Sequence, residues 1–146
     1  VVALGACGGA GRAPPPGADA WAGNAAILVG QLRRDLLLAT SGGSTPAAAR
    51  RALGSPSRLY TILIAYTDFG GCGTMLRNVG APARGLGRVG VTLAAACRIL
   101  EHAAALFTRA VTRRDPDALV AAGRSAQQAE PLLERAQAEL AVLRAR

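Results

Sequence analysis

Lysine is absent from this chain: all 17 basic residues are arginine, set against nine acids, for a formal charge of +8. Arginine and alanine at such density reflect high-GC coding as readily as function. Histidine occurs once, at His102, and no cysteine shares its face of the helix, so there is no ligand set for a zinc site. Aromatic residues make up only 3% of the chain, too few to stack a run of nucleic-acid bases. The same scarcity means the core must be built from Ala, Leu and Val. That favours closely packed helices over a β-sandwich, which would draw on aromatic and β-branched strands. No G-x-S-x-G nucleophile motif occurs. The glycine-rich stretches 70–73 and 80–90 lack the strand, the helix start and the Lys-Ser/Thr pair of a phosphate loop. Beyond residue 7, no stretch has the ~18 consecutive apolar residues of a membrane-spanning segment. These absences remove the ordinary grounds for an enzyme, and no catalytic residue, metal site or cofactor is expected.

What is present is helical punctuation. At 146 residues the chain is long enough for one domain with a modest core. The cleanest helical pattern runs from Gly87 to Arg114. Leu93, Cys97, Leu100, Ala104, Phe107 and Val111 recur at steps of three and four and share one face. Arg98, Glu101, His102, Arg109, Thr112 and Arg113 fall on the other side. Upstream, a helix over about 20–40, capped by Asp19, has Trp21, Ala25, Leu28, Leu32, Leu36 and Ala39 as its inner stripe, with Arg33 and Arg34 outside it. Thr45-Pro46 and Ser55-Pro56 are cap-plus-proline starts for helices over about 46–53 and 56–69. In the second of these, Leu59, Ile62, Leu63, Tyr66 and Phe69 share a face. A glycine turn at 70–73, where positive φ is accessible, precedes a short helix capped by Thr74. Asp115-Pro116 restarts the chain for a last helix reaching almost to Arg146, with a kink expected at Pro131. The fold class is therefore all-α: an antiparallel bundle of about four main helices plus short connecting helices.

The first residues carry a different signal. Leu4-Gly5-Ala6-Cys7 is a leucine, two small residues and a cysteine, followed by a Gly/Pro-rich stretch with no helical or strand pattern. This resembles the lipobox of bacterial lipoprotein signal peptides, in which the cysteine is lipidated after cleavage. Small residues suit that position because the peptidase closes around an extended backbone. The resemblance implies residues 1–7 as the end of a signal peptide, 8–18 as a tether and 19–146 as the helical domain. Eleven tether residues could span on the order of 30 Å. With its composition, the chain is similar to the small Ala/Arg-rich lipoproteins of high-GC Gram-positive bacteria, many of which have no known activity.

The resemblance implies lipid on Cys7 and a place on the extracytoplasmic face of the cell membrane. Two cysteines then remain, Cys72 and Cys97, and a disulfide between them suits an exported protein. A closed loop of that length is worth about 3.5 kcal/mol on the chain-entropy model. The other readings are a redox-active pair, which would want the cysteines close in sequence, and two buried free thiols. Arg33, Arg34, Arg98, Arg109, Arg113 and Arg114 are candidate contacts for anionic lipid or wall polymer, since net positive charge favours anionic partners without choosing among them. A protein partner of unknown identity is also compatible. The function expected is binding or scaffolding at the cell envelope. The alternative is a cytosolic basic helical module for an acidic protein or nucleic acid, although arginines spread over every helix do not form a nucleic-acid stripe.

Overall fold

A computed structural model describes residues 17–145. They form seven helices: α1 (Ala18–Ser41), α2 (Pro46–Leu53), α3 (Pro56–Gly70), α4 (Cys72–Val79), α5 (Gly87–Arg113), α6 (Pro116–Gln127) and α7 (Glu130–Arg144). There is no strand among the described residues, and the helices pack as an all-α bundle around one continuous core. The lipobox-like residues 1–7, with Cys7, lie outside the described residues, as does nearly all of the tether.

The long helix α5 packs against α3, α4, α6 and α7, while α1 packs against α3, α4, α6 and α7 from the other side. α2 leans on α3 and α6. Composition explains how one helix can touch four others. Ala96, Ala103 and Ala110 on α5, Ala122 and Ala126 on α6, and Ala65 on α3 are fully buried, and such small side chains let backbones approach closely. Trp21, Phe69, Leu32, Leu93, Leu100, Leu119, Leu133 and Leu140 fill the remaining volume. By length and mean hydropathy alone α5 is apolar enough to cross a membrane. Its inner face is instead spent on the protein core, and Arg98 and His102 stand exposed at its middle, where a bilayer would penalise charge.

The helix starts show which caps the sequence places correctly. The Thr45 hydroxyl accepts from the Ala48 N–H at 3.2 Å, and the Asp115 carboxylate accepts from the N–H groups of Asp117 and Ala118 at 3.0 and 3.1 Å. Asp19, however, is not the cap of α1. The helix starts at Ala18 behind Gly17, and Asp19 lies in the first turn, where its charge still favours the helix dipole. Thr74 likewise lies inside α4, which begins two residues earlier, at Cys72. Gly71 has φ −91°, so the glycine turn needs no left-handed residue there. Positive φ occurs instead at Gly80 (95°) and Gly85 (89°). The Gly80 carbonyl accepts from Trp21 Nε1 at 3.0 Å, which fastens the α4–α5 loop to the start of α1.

The last helix is broken rather than kinked. α6 stops at Gln127 and α7 begins at Glu130, with Pro131 in its first turn. Pro131 has no N–H to offer the Gln127 carbonyl, and a helix start is where that loss costs least. Along α5 the buried stripe is wider than the spacing predicts and rotated: Ala103 and Ala110 are fully buried, whereas Ala104 and Val111 are half-buried. Four neighbours, not one, cover this helix. On α3, Leu63 turns out to be 45% exposed while Ile62, Tyr66 and Phe69 enter the core.

Cys72 and Cys97 are joined by a disulfide, with their Cα atoms 5.2 Å apart and both residues buried. The bridge ties the start of α4 to the middle of α5. Reduction, or the pair Cys72→Ala and Cys97→Ala, is expected to lower the unfolding free energy by about 3 kcal/mol. Urea unfolding followed by circular dichroism, with and without a reductant, measures this directly, and native helix content should survive at zero denaturant.

Candidate functional site

The surface of this bundle is electrically uneven. Between residues 56 and 114 there are eight arginines and two acids, whereas residues 115–146 hold five acids and four arginines. Most of the excess positive charge therefore belongs to α3, α4, α5 and their loops, with Arg50 and Arg51 of α2 adding to it. Five of the nine acids lie from Asp115 onward.

On α5 the helical repeat brings Arg98, His102, Arg109 and Arg113 onto one side, and all four are exposed. Val91, 70% exposed, lies on the same side about two turns before Arg98. The one acid close to this row is Glu101, and it is already engaged: its carboxylate accepts from the Gly73 N–H at 2.9 Å, at the start of α4. Glu101 thus serves the orphan N–H groups of α4 that a cap would otherwise satisfy. The sequence places Glu101 with His102 on the outer side. Its role depends on α4 lying against α5, which local spacing cannot reveal.

Beside the arginine row runs a cleft of about 400 Å³ between α3 and α5, bordered by Leu63, Thr67, Ala105 and Thr108. Tyr60 and Ile64, 65% and 46% exposed, flank Leu63 on the outer side of α3 without lining the cleft themselves. A second cleft, of about 470 Å³, lies between α4 and α5 with Arg77 and Arg98 at its edge. Arg77 reaches back to the Thr74 hydroxyl at 2.9 Å.

The six arginines singled out from the sequence do not form one patch. Arg98, Arg109 and Arg113 come together on α5. Arg114 follows at the helix end in the left-handed conformation, φ 51°, closing α5 through its own backbone N–H. Arg33 is taken up within the fold: it donates a short hydrogen bond to Gln137 and forms an ion pair with Glu134 at 3.6 Å, linking α1 to α7. That is the one ion pair among the described residues, so the α5 arginines hold no acid partner there. Arg34 is exposed on α1, which does not share a packing interface with α5. No cluster of His, Cys, Asp and Glu suited to a metal occurs among the described residues.

The interior holds one ionisable residue that no local pattern marks as buried. Asp35 is buried on α1 against Asp68 of α3. Gln31 Nε2 donates to Asp68 Oδ2 at 2.9 Å, which marks Asp68 as the acceptor. As a carboxylate, Asp35 would leave Oδ2 without a donor in the core. A proton on Asp35, donated towards Asp68, removes that conflict. Burial, then the hydrogen bond and the charge of Asp68, push the Asp35 carboxyl up to about 7, against a smaller opposing pull from Arg34. Nearby, the Tyr66 ring stacks on Phe107 at 4.3 Å and meets Phe69 edge-on at 5.3 Å. Its hydroxyl is buried without a partner, and burial pushes its pKa upward.

The native Asp35 keeps its proton until about pH 7, whereas an unfolded aspartate releases it near 3.8. In that window the folded state binds more protons, so stability falls as pH rises from about 4 to 7. Asp35→Asn, whose amide can donate to Asp68 at any pH, should flatten that slope. It should also raise stability at pH 8 by about 1–2 kcal/mol. Urea midpoints of both proteins at pH 5 and pH 8 test this; parallel slopes would refute it.

With this arrangement in place, neither a family model, nor a curated protein, nor a solved structure matches the chain.

Proposed function

We propose that this protein is an exported, disulfide-stapled helical module, held at the extracytoplasmic face of the cell membrane by lipid on Cys7, that works by binding or scaffolding rather than catalysis. The observation that carries this reading is the buried Cys72–Cys97 bridge, because a disulfide in a small domain suits an oxidising compartment. The lipobox-like Leu4-Gly5-Ala6-Cys7 supplies the means of attachment. A diacylglyceryl group with a further acyl chain gives the multi-chain anchoring that one acyl chain does not. The unpaired arginines of α5 favour anionic lipid or wall polymer as the surroundings, and a protein partner at the envelope is compatible with the same surface.

Those arginines also favour a second reading, a cytosolic module for an acidic protein or nucleic acid. The compartment separates the two. Expression with the native upstream region in a high-GC Gram-positive host, followed by intact mass of membrane-fraction protein alkylated without reduction, decides between them. The expected result is a lipid-sized mass increment, absent from a Cys7→Ser variant, with Cys72 and Cys97 unalkylated. A soluble, unlipidated protein with three alkylated cysteines would overturn the envelope reading.

A further inference from the structure

We infer that the joint outer face of α3 and α5 docks on the surface of an anionic lipid bilayer, with the α5 arginines against the headgroups and the α3 apolar side chains at the acyl boundary. This deepens the envelope reading and rests on it for the source of the bilayer. The attraction itself belongs to the folded domain and can be measured without the lipid anchor.

Charge and shape together select this occupant. Arg98, Arg109 and Arg113 span about 22 Å along α5, a length set by 1.5 Å of rise per residue. They are exposed and hold no ion pair among the described residues. Row and cleft lie side by side, so a flat anionic surface can meet the arginines while Tyr60, Leu63 and Ile64 reach the layer beneath the headgroups. An aromatic ring with a polar tip, as on Tyr60, suits that depth. A second copy of the chain would oppose one arginine row to another and be repelled. A nucleic acid would satisfy the arginines but leave the aliphatic side chains of α3 without an apolar partner. α6 and α7 are close to neutral, with four acids against three arginines, so the positive charge offered to a negative surface comes mainly from α3, α4, α5 and their loops. Each arginine near such a surface contributes roughly fivefold to partitioning at moderate salt.

The test uses the full chain carrying Cys7→Ser, so that no acyl group contributes. It is sedimented with vesicles of pure phosphatidylcholine and with vesicles containing phosphatidylglycerol at about one lipid in three. Binding to the anionic vesicles alone is expected. The triple variant Arg98→Gln, Arg109→Gln, Arg113→Gln should lose more than tenfold in partitioning. The charge-matched triple Arg50→Gln, Arg124→Gln, Arg135→Gln, exposed on α2, α6 and α7, should change it less than threefold. Circular dichroism verifies that both triples fold. A Tyr60→Trp variant adds a depth reading, since native Trp21 is fully buried and its emission is insensitive to the surface. The introduced indole should shift to the blue on anionic vesicles and be quenched by brominated acyl chains.

Equal losses from the two triples would show bulk charge rather than a face, and would overturn the inference. So would tighter binding to duplex DNA or soluble polyphosphate than to the vesicles at the same salt, with no blue shift at position 60. Neither failure touches the intact-mass result on Cys7, so the docking face and the anchor stand or fall separately.

Discussion

Close approach of alanine-faced helices is the constraint on which the rest of this bundle depends. With few aromatic residues, burial comes from many small contacts, and these accumulate only if the helix axes lie near one another. α5 carries that burden. Its alanines at 96, 103 and 110, seven residues apart on one stripe, let neighbouring helices approach closely, and Phe107 and Leu100 fill what the alanines leave open. A core of this kind has little redundancy, which gives the Cys72–Cys97 bridge its weight. It ties the four-way helix to the short α4, whose eight residues have marginal stability of their own.

The same geometry partitions charge. Since α5 is surrounded on its inner side, its polar residues crowd onto one outer strip. The acid that might have neutralised that strip, Glu101, is drawn to the N-terminus of α4. Arg33 is neutralised on the opposite side, between α1 and α7. A chain whose arginines look evenly scattered in one dimension thus becomes polarised in three. Packing accounts for part of it, since each helix directs its charges away from its neighbours; the order of charges along the chain, with only two acids between residues 56 and 114, accounts for the rest.

Within the core, the polar exceptions follow a second rule. Asp35 and Tyr66 are buried at the α1–α3 and α3–α5 seams, where alanines and leucines fill most other positions. Asp35 is tolerable there because a proton and Asp68 together satisfy it. This couples the α1–α3 seam to pH in a way that a wholly apolar seam would not be.

Most of the secondary structure was legible in order along the chain. The cap-plus-proline starts at Thr45-Pro46, Ser55-Pro56 and Asp115-Pro116 begin α2, α3 and α6, because proline at a first turn fixes the entry whatever surrounds it. The inner stripe of α1, from Trp21 to Ala39, and the pairing of the two interior cysteines were likewise legible, since one depends on helical period and the other on arithmetic. Local signals failed where a distant element decides the outcome. Pro131 reads as a kink within one long helix until the path of α7 against α1 and α5 is known, and the structure has a break there instead. Leu63 reads as core until α5 is seen to cover only part of α3. Glu101 reads as solvent-facing until α4 arrives beside it, and nothing local marks Asp35 as buried until Asp68 is found opposite. Period and cap-plus-proline signals are properties of neighbouring residues, so the sequence alone determined an all-α chain and the starts of α2, α3 and α6, while the Cys72–Cys97 staple was one reading among those the cysteine count allowed. Which arginines stand together, which are consumed in the fold and which acids are buried are matters of long-range packing, and only the tertiary structure decided them.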